Sequence, residues 1–186
     1  MATSVLDTCI LSILPIEVAH LFNGTFDTFC LFKAESMLDY SGPLILHTLP
    51  NLSMENSVSA QIWLVSKQIL DSYGETWEDY PSLCMLGKAY IHSIQLYDAK
   101  TFEDDMPNHG NDQSLAEFQT LAGFDTSELV YGIRLHKIEA FDEPVIDVEL
   151  PEDVIGTSIW LPRTPLQMEA VKKAKTRKPA TVEGEA

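Results

Sequence analysis

Basic residues are scarce in this chain. Twelve Lys and Arg stand against 28 Asp and Glu, a formal net charge of −16 over 186 residues. The distribution is sharper than the total. Six of the basic residues lie between Arg163 and Lys178, and residues 1–162 carry the other six against 25 acidic ones, a charge of −19. Sequence-independent affinity for nucleic acid comes from Lys and Arg neutralising phosphates. Such a body repels duplex DNA, so weak or no duplex binding is expected. Any that occurs should run through the basic tail formed by Lys172, Lys173, Lys175, Arg177 and Lys178.

Cysteine is equally sparse. Cys9, Cys30 and Cys84 are odd in number and far apart, which argues against a disulfide framework and for free, buried thiols. No C-x-x-C, H-x-E or H-E-x-x-H occurs, so neither a zinc site nor deaminase chemistry is expected, and no metal or cofactor is implied. The acidic stretch from Asp98 to Asp112 lacks EF-hand spacing. No apolar run approaches the ~20 residues that span a bilayer. The start carries Asp7 and Glu17 and no basic segment, so it does not read as a signal peptide. The expectation is a cytoplasmic protein with no membrane partner.

What is present is a well-supplied core, with 45% apolar residues. Val5 to Leu14 reads as a strand. Pro15 suits the first turn of a helix that presents Leu14, Val18, Leu21 and Phe22 on one face and stops at Gly24. Phe26 to Phe32 and Leu44 to Thr48 read as further strands. Ser53 caps a predicted helix to Ser72, with Val58, Ile62, Val65 and Ile69 in register on one face and Trp63 beside them. Alternation from Lys88 onward marks a half-buried strand. Asp98 to Gln113, with Pro107 and Gly110, reads as a solvated loop. Ser114 and Glu117 form a capping-box match that opens a short helix to Leu121. Strands are expected over Leu129 to Ala140, Val145 to Leu150 and Gly156 to Leu161. After Pro165 one or two helical turns are expected, then disorder from Lys172. Two regions follow: a domain over residues 1–162 and a basic tail over 163–186. The interleaved elements lack a regular β-α-β period, which points to an α+β fold with a mostly antiparallel, curled sheet.

Several short motifs occur in a telling order. They are Leu11 to Pro15, Asn23-Gly24-Thr25, Ser41 to His47, Val130-Tyr131-Gly132-Ile133, Phe141 to Val145 and Gly156 to Trp160. Together, over roughly residues 9 to 162, they resemble the ASCH domain, a small β-barrel related to the PUA-like RNA-binding folds. The resemblance implies a barrel of about six strands with helices at its ends. It also implies a cleft near a Gly-x-Lys-x-x-Glu-x-Arg signature after the first helix. Here that frame reads Gly24-Thr25-Phe26-Asp27-Thr28-Phe29-Cys30-Leu31, so Phe26, Phe29 and Leu31 stand where the signature is charged. One branch of the family hydrolyses modified cytidines with the signature lysine. With Phe26 in its place that activity is expected to be absent, unless Lys33 substitutes for it.

The resemblance and the residues nominate Thr25, Phe26, Thr28, His47, Trp77, Tyr80 and His92 as ligand-binding. Thr25, Phe26 and Thr28 lie in the signature frame. His47, His92 and also His136 sit in predicted strands, where two could line one cleft. Trp77 and Tyr80 are aromatic residues in an acidic loop, able to stack on a base or anchor a partner. Trp160 resembles a terminal core aromatic. Three functions fit. The first is a non-catalytic module whose cleft takes a nucleobase, nucleotide or peptide in nucleic-acid-linked regulation. The second is an acidic protein that occupies a basic partner, as a nucleic-acid mimic or subunit. The third is an amidohydrolase of modified nucleosides. The lost signature charges count against the third, and the −19 body favours the second over open RNA binding.

Overall fold

The computed structural model describes residues 8–32, 34–50, 81–154 and 156–181. The predicted helix over Ser53 to Ser72, with Trp63, and the residues Lys33, Trp77 and Tyr80 lie outside the described residues.

Burial on both faces, continuous along Cys9–Ile13 and Leu44–Thr48, dictates the architecture. Strands β1 (Cys9–Ile13), β2 (Thr28–Phe32), β3 (Pro43–Thr48), β4 (Met85–Leu96), β5 (Val130–Val145) and β6 (Ser158–Trp160) form one six-stranded, curled sheet in the order β2-β5-β4-β3-β1-β6. β1 and β3 run parallel; the other pairings are antiparallel. The expected sheet is thus present as a half-barrel. Among the described residues β2 and β6 remain its edges. Three register shifts between β4 and β5, at Met85/Gly87, Lys88/Tyr90 and Ile91/Ser93, let these long strands curl rather than lie flat.

The inner face is the main core. Leu11 and Ile13 of β1, Phe29 and Leu31 of β2, Leu44 and Leu46 of β3 and Ile133 and Leu135 of β5 meet Val18 and Leu21 of helix α1 (Pro15–Phe22). The outer face is covered twice. At one end helices α2 (Ala99–Asp104), α3 (Met106–His109) and α4 (Leu115–Leu121) pack Phe102, Leu115 and Phe118 on Val130, Cys30 and Phe32. At the other end helix α5 (Pro165–Thr176) packs Ala170, Val171 and Ala174 on Ile10, Ile45, Phe141 and Trp160. No helix among the described residues is long and apolar enough to cross a membrane.

Three expectations need correction. The stretch from Asp98 to Gln113 is not a solvated loop. Asp98 caps α2 by accepting from Thr101 N–H at 2.8 Å, Pro107 sits in the first turn of α3, and Phe102 is fully buried. The strands expected over 129–140 and from Val145 are one strand, because β5 continues through Pro144 to Val145 at the irregular end of its pairing with β4. No strand covers 146–150. The tail is ordered past Lys172. Thr164 caps α5, which runs three turns, and residues 178–180 then bond to β5 through Asp142 N–H to Lys178 O and Ala180 N–H to Ala140 O, both 2.8 Å. Burial of Val171 and Ala174 is what holds these turns on the body.

Candidate functional site

Helix α1 ends at Phe22 and the chain turns through Asn23, whose Oδ1 accepts from the Thr25 backbone at 3.0 Å and from its hydroxyl at 2.5 Å. Thr25 is exposed. The Phe26 ring is half-buried, edge-on to His20 at 5.4 Å, and a methyl group placed on Gly110 would overlap it. Phe29 and Leu31 point into the inner core. Phe26, Phe29 and Leu31 are therefore packed as apolar side chains rather than left facing an open cleft.

Residues of β2 on the opposite face meet a polar cluster. Thr28 pairs across the strands with Arg134. The Arg134 guanidinium lies 3.4 Å from Asp27 Oδ1 and 3.1 Å from Asp105 Oδ1, and donates to Thr28 Oγ1 at 3.4 Å. Thr28 in turn donates to Asp27 at 2.8 Å. Asp105 also accepts from Asn108 Nδ2 at 2.6 Å and from the Tyr97 hydroxyl. Burial works against the charge on Asp105, but the Tyr97 and Asn108 hydrogen bonds and the Arg134 charge outweigh it and hold the carboxyl below its ordinary value. Burial raises the Tyr97 phenol, and the bond to Asp105 adds to the effect. Burial likewise pushes the Cys30 thiol up, so it stays protonated. His109 is fixed as well: Nε2–H donates to Phe102 O at 2.9 Å and Nδ1 accepts from Asn111 N–H at 3.0 Å. The donors and acceptors of this cluster are turned toward each other. Among the described residues Arg134 is its single cation, held by two carboxylates.

Tyr97 depends on Gly132. The ring lies so close over β5 that any Cβ at 132 would overlap it. Gly132→Ala is expected to displace the ring and loosen its bond to Asp105, at a cost of about 1–3 kcal/mol. A shifted denaturation midpoint with altered tyrosine fluorescence checks this; an unchanged midpoint contradicts it.

His47 lies elsewhere, fully buried under α5. Its Nε2 faces Val148 O at 2.8 Å, and a carbonyl only accepts, so Nε2 carries the hydrogen. Nδ1 then accepts from Ser12 Oγ at 2.8 Å, and Ser12 accepts from Trp160 Nε1–H at 2.8 Å. The chain has one direction and needs a neutral imidazole. Burial drives the His47 pKa down to about 4. His92 is exposed on the outer face of β4, its ring centroid 5.3 Å from that of His136.

The five nominated residues that are described thus fall into three environments. Thr25, Phe26 and Thr28 lie on the turn after α1 and the start of β2, His47 is enclosed at the other end of the sheet near Trp160, and His92 is solvent-facing. The Arg134 cluster was not anticipated. Its one sequence signal was an arginine inside an apolar strand of a body poor in cations. A further feature is a cavity of about 610 Å³ between the loop after β5 and the start of α5, lined by Asp147, Glu149, Glu152, Asp153, Leu166 and Gln167 among others. Arg163 at its rim is held by Asp153 at 2.5 Å.

No protein-family model matches this chain, and no curated protein matches it in sequence. Solved structures do. The crystal structure of ASCH from Zymomonas mobilis aligns over 94% of this chain and 99% of its own, with 10% identity and a TM-score of 0.56. Two single-substitution variants of that protein align over 95% and 92% of this chain, covering 100% and 99% of their own, with 10% and 12% identity and TM-scores of 0.54 and 0.52. At such identity the likeness shows the fold: a curled α+β sheet of the ASCH/PUA-like type with flanking helices.

Proposed function

We propose that this protein is a non-catalytic binding module on the ASCH fold, acting in nucleic-acid-linked regulation by engaging a basic partner protein through its acidic surface. The observation that carries this reading is the fate of the signature frame: Phe26, Phe29 and Leu31 are packed as apolar side chains, and the neighbouring cation Arg134 is consumed by Asp27 and Asp105. A nucleophile or base needs a spare lone pair near a shifted pKa. In this cluster the tyrosine and thiol are pushed up and the histidine is locked in two hydrogen bonds. The charge of −19 on residues 1–162 supports a cationic partner over a polynucleotide. The cavity at Asp147 to Gln167 suits a segment that brings Lys or Arg to the carboxylates and an apolar side chain to Leu166, which is 81% exposed.

The test has two arms. A Lys/Arg-rich probe peptide should bind the full chain with an affinity that falls as salt rises. Asp147→Asn, Glu149→Gln and Glu152→Gln combined should weaken it about tenfold. Incubation with acylated cytidines should release no cytidine above buffer. Steady turnover would overturn the non-catalytic reading, and binding indifferent to both salt and the triple variant would overturn the acidic surface. The tail is best probed by Lys172→Glu, Lys173→Glu and Lys175→Glu together, since deletion would remove the buried Val171 and Ala174.

A further inference from the structure

Among the described residues the two helical layers on the outer face leave the middle of the sheet uncovered. Strand alternation puts Lys88, Tyr90 and His92 of β4 on one face, and the register sets Tyr90 opposite His136 of β5. The shift between Ile91 and Ser93 brings His92 diagonally next to His136, centroids 5.3 Å apart and planes inclined 55°. The other three histidines are buried, whereas His92 is exposed and His136 half-exposed. Neither of these two rings makes a hydrogen bond among the described residues. Their neighbours are Tyr90, edge-on to His136 at 6.3 Å, Lys137 over the Tyr90 ring at 5.8 Å, and Lys88 paired with Glu139 at 3.2 Å.

We propose that His92 and His136 form a surface site for a divalent transition-metal ion of the copper, nickel and zinc class. Imidazole nitrogens bind these ions at about 2.0–2.1 Å. Two imidazoles sharing one ion at a near-tetrahedral angle then have centroids about 5 Å apart, which is the spacing the two strands already impose. Little side-chain ordering is left to complete on binding, because each ring stands on a paired strand. The site offers two protein nitrogens, with water filling the remaining positions. Imidazole donors favour Cu²⁺, Ni²⁺ and Zn²⁺ over Mg²⁺ or Ca²⁺, and copper stands highest in the divalent order. The geometry is independent of the acidic cavity and of the partner reading.

The experiment is a titration of untagged full-length protein with CuCl₂, NiCl₂, ZnCl₂ and MgCl₂, followed by histidine C–H resonances and by electron paramagnetic resonance of the copper form. One Cu²⁺ should bind with two nitrogen ligands, tighter than Ni²⁺ or Zn²⁺, and Mg²⁺ should leave the His92 and His136 resonances unmoved. His92→Ala and His136→Ala should each weaken Cu²⁺ at least tenfold and return the same loss when combined, since either removes the chelate. Both positions are at the surface, and unchanged melting curves will establish that the variants fold. Equal affinity in wild type and both variants, or perturbation of other resonances in place of these two, would overturn the site.

Discussion

Phe102→Ala is expected to cost about 3–5 kcal/mol, the range for emptying a fully buried phenylalanine site. Phe102 has no exposed surface and sits between Tyr97, His109 and Phe118, with ring centroids 5.4, 4.5 and 5.4 Å away. It is the anchor of α2–α4 on the sheet. The loss should also be local in character. Hydrogen exchange over residues 99–121 should quicken before that of β4 and β5, because α2–α4 have few other buried apolar contacts. Denaturant unfolding gives the total. A loss under ~1 kcal/mol would mean that residues 98–113 are the solvated loop their composition suggests.

Replacing His47 with leucine should remove about 2–4 kcal/mol at pH 7, because the Ser12 hydroxyl and the Val148 carbonyl both lose a buried partner. Its pH dependence is the more discriminating signature. The imidazole is held neutral to about pH 4 when folded, against an ordinary value of 6.5. As pH falls below 6.5 the unfolded chain takes up a proton that the folded one refuses, so stability is lost between about pH 6.5 and 4, at up to about 1.4 kcal/mol per pH unit. His47→Leu lacks this response. The stability gap between wild type and variant should therefore narrow on acidification by about 3 kcal/mol, and subtraction cancels the many carboxylates common to both. A gap that stays constant from pH 7 to 4 would show that His47 is free to charge in place.

These two residues also mark where the sequence was legible. Six segments expected as strands fall in one sheet, because period-two burial and β-branched residues are local signals. The Ser114–Glu117 capping box opens α4 as read, with Ser114 Oγ accepting from Glu117 N–H at 3.3 Å. Phe102 was hidden by its neighbours: Glu103 and Asp104 are solvated, and a single aromatic in an acidic run leaves no periodic trace. The expected gap between Ala140 and Val145 is absent because irregular pairing at the end of β5 tolerates the missing N–H of Pro144. The Arg134 cluster draws on residues 29 and 107 positions away along the chain, so no spacing rule reports it. The same holds for Ser12 and Trp160.

The neighbours of β1 set an order of events during synthesis. Leu11 is made before either of its neighbours: one edge of its strand waits for Leu44 to Thr48 and the other for Ser158 to Trp160. At ribosomal rates of about 5–20 residues per second, that second edge stays open for on the order of ten seconds. Throughout that interval Ile10, Leu11 and Ile13 form a sticky, half-paired ribbon on a chain that is otherwise growing more acidic. Nascent copies on one message then repel each other by charge while exposing the segment most able to join them, so crowding by salt or by a polycation is the condition under which this protein should misassemble at birth.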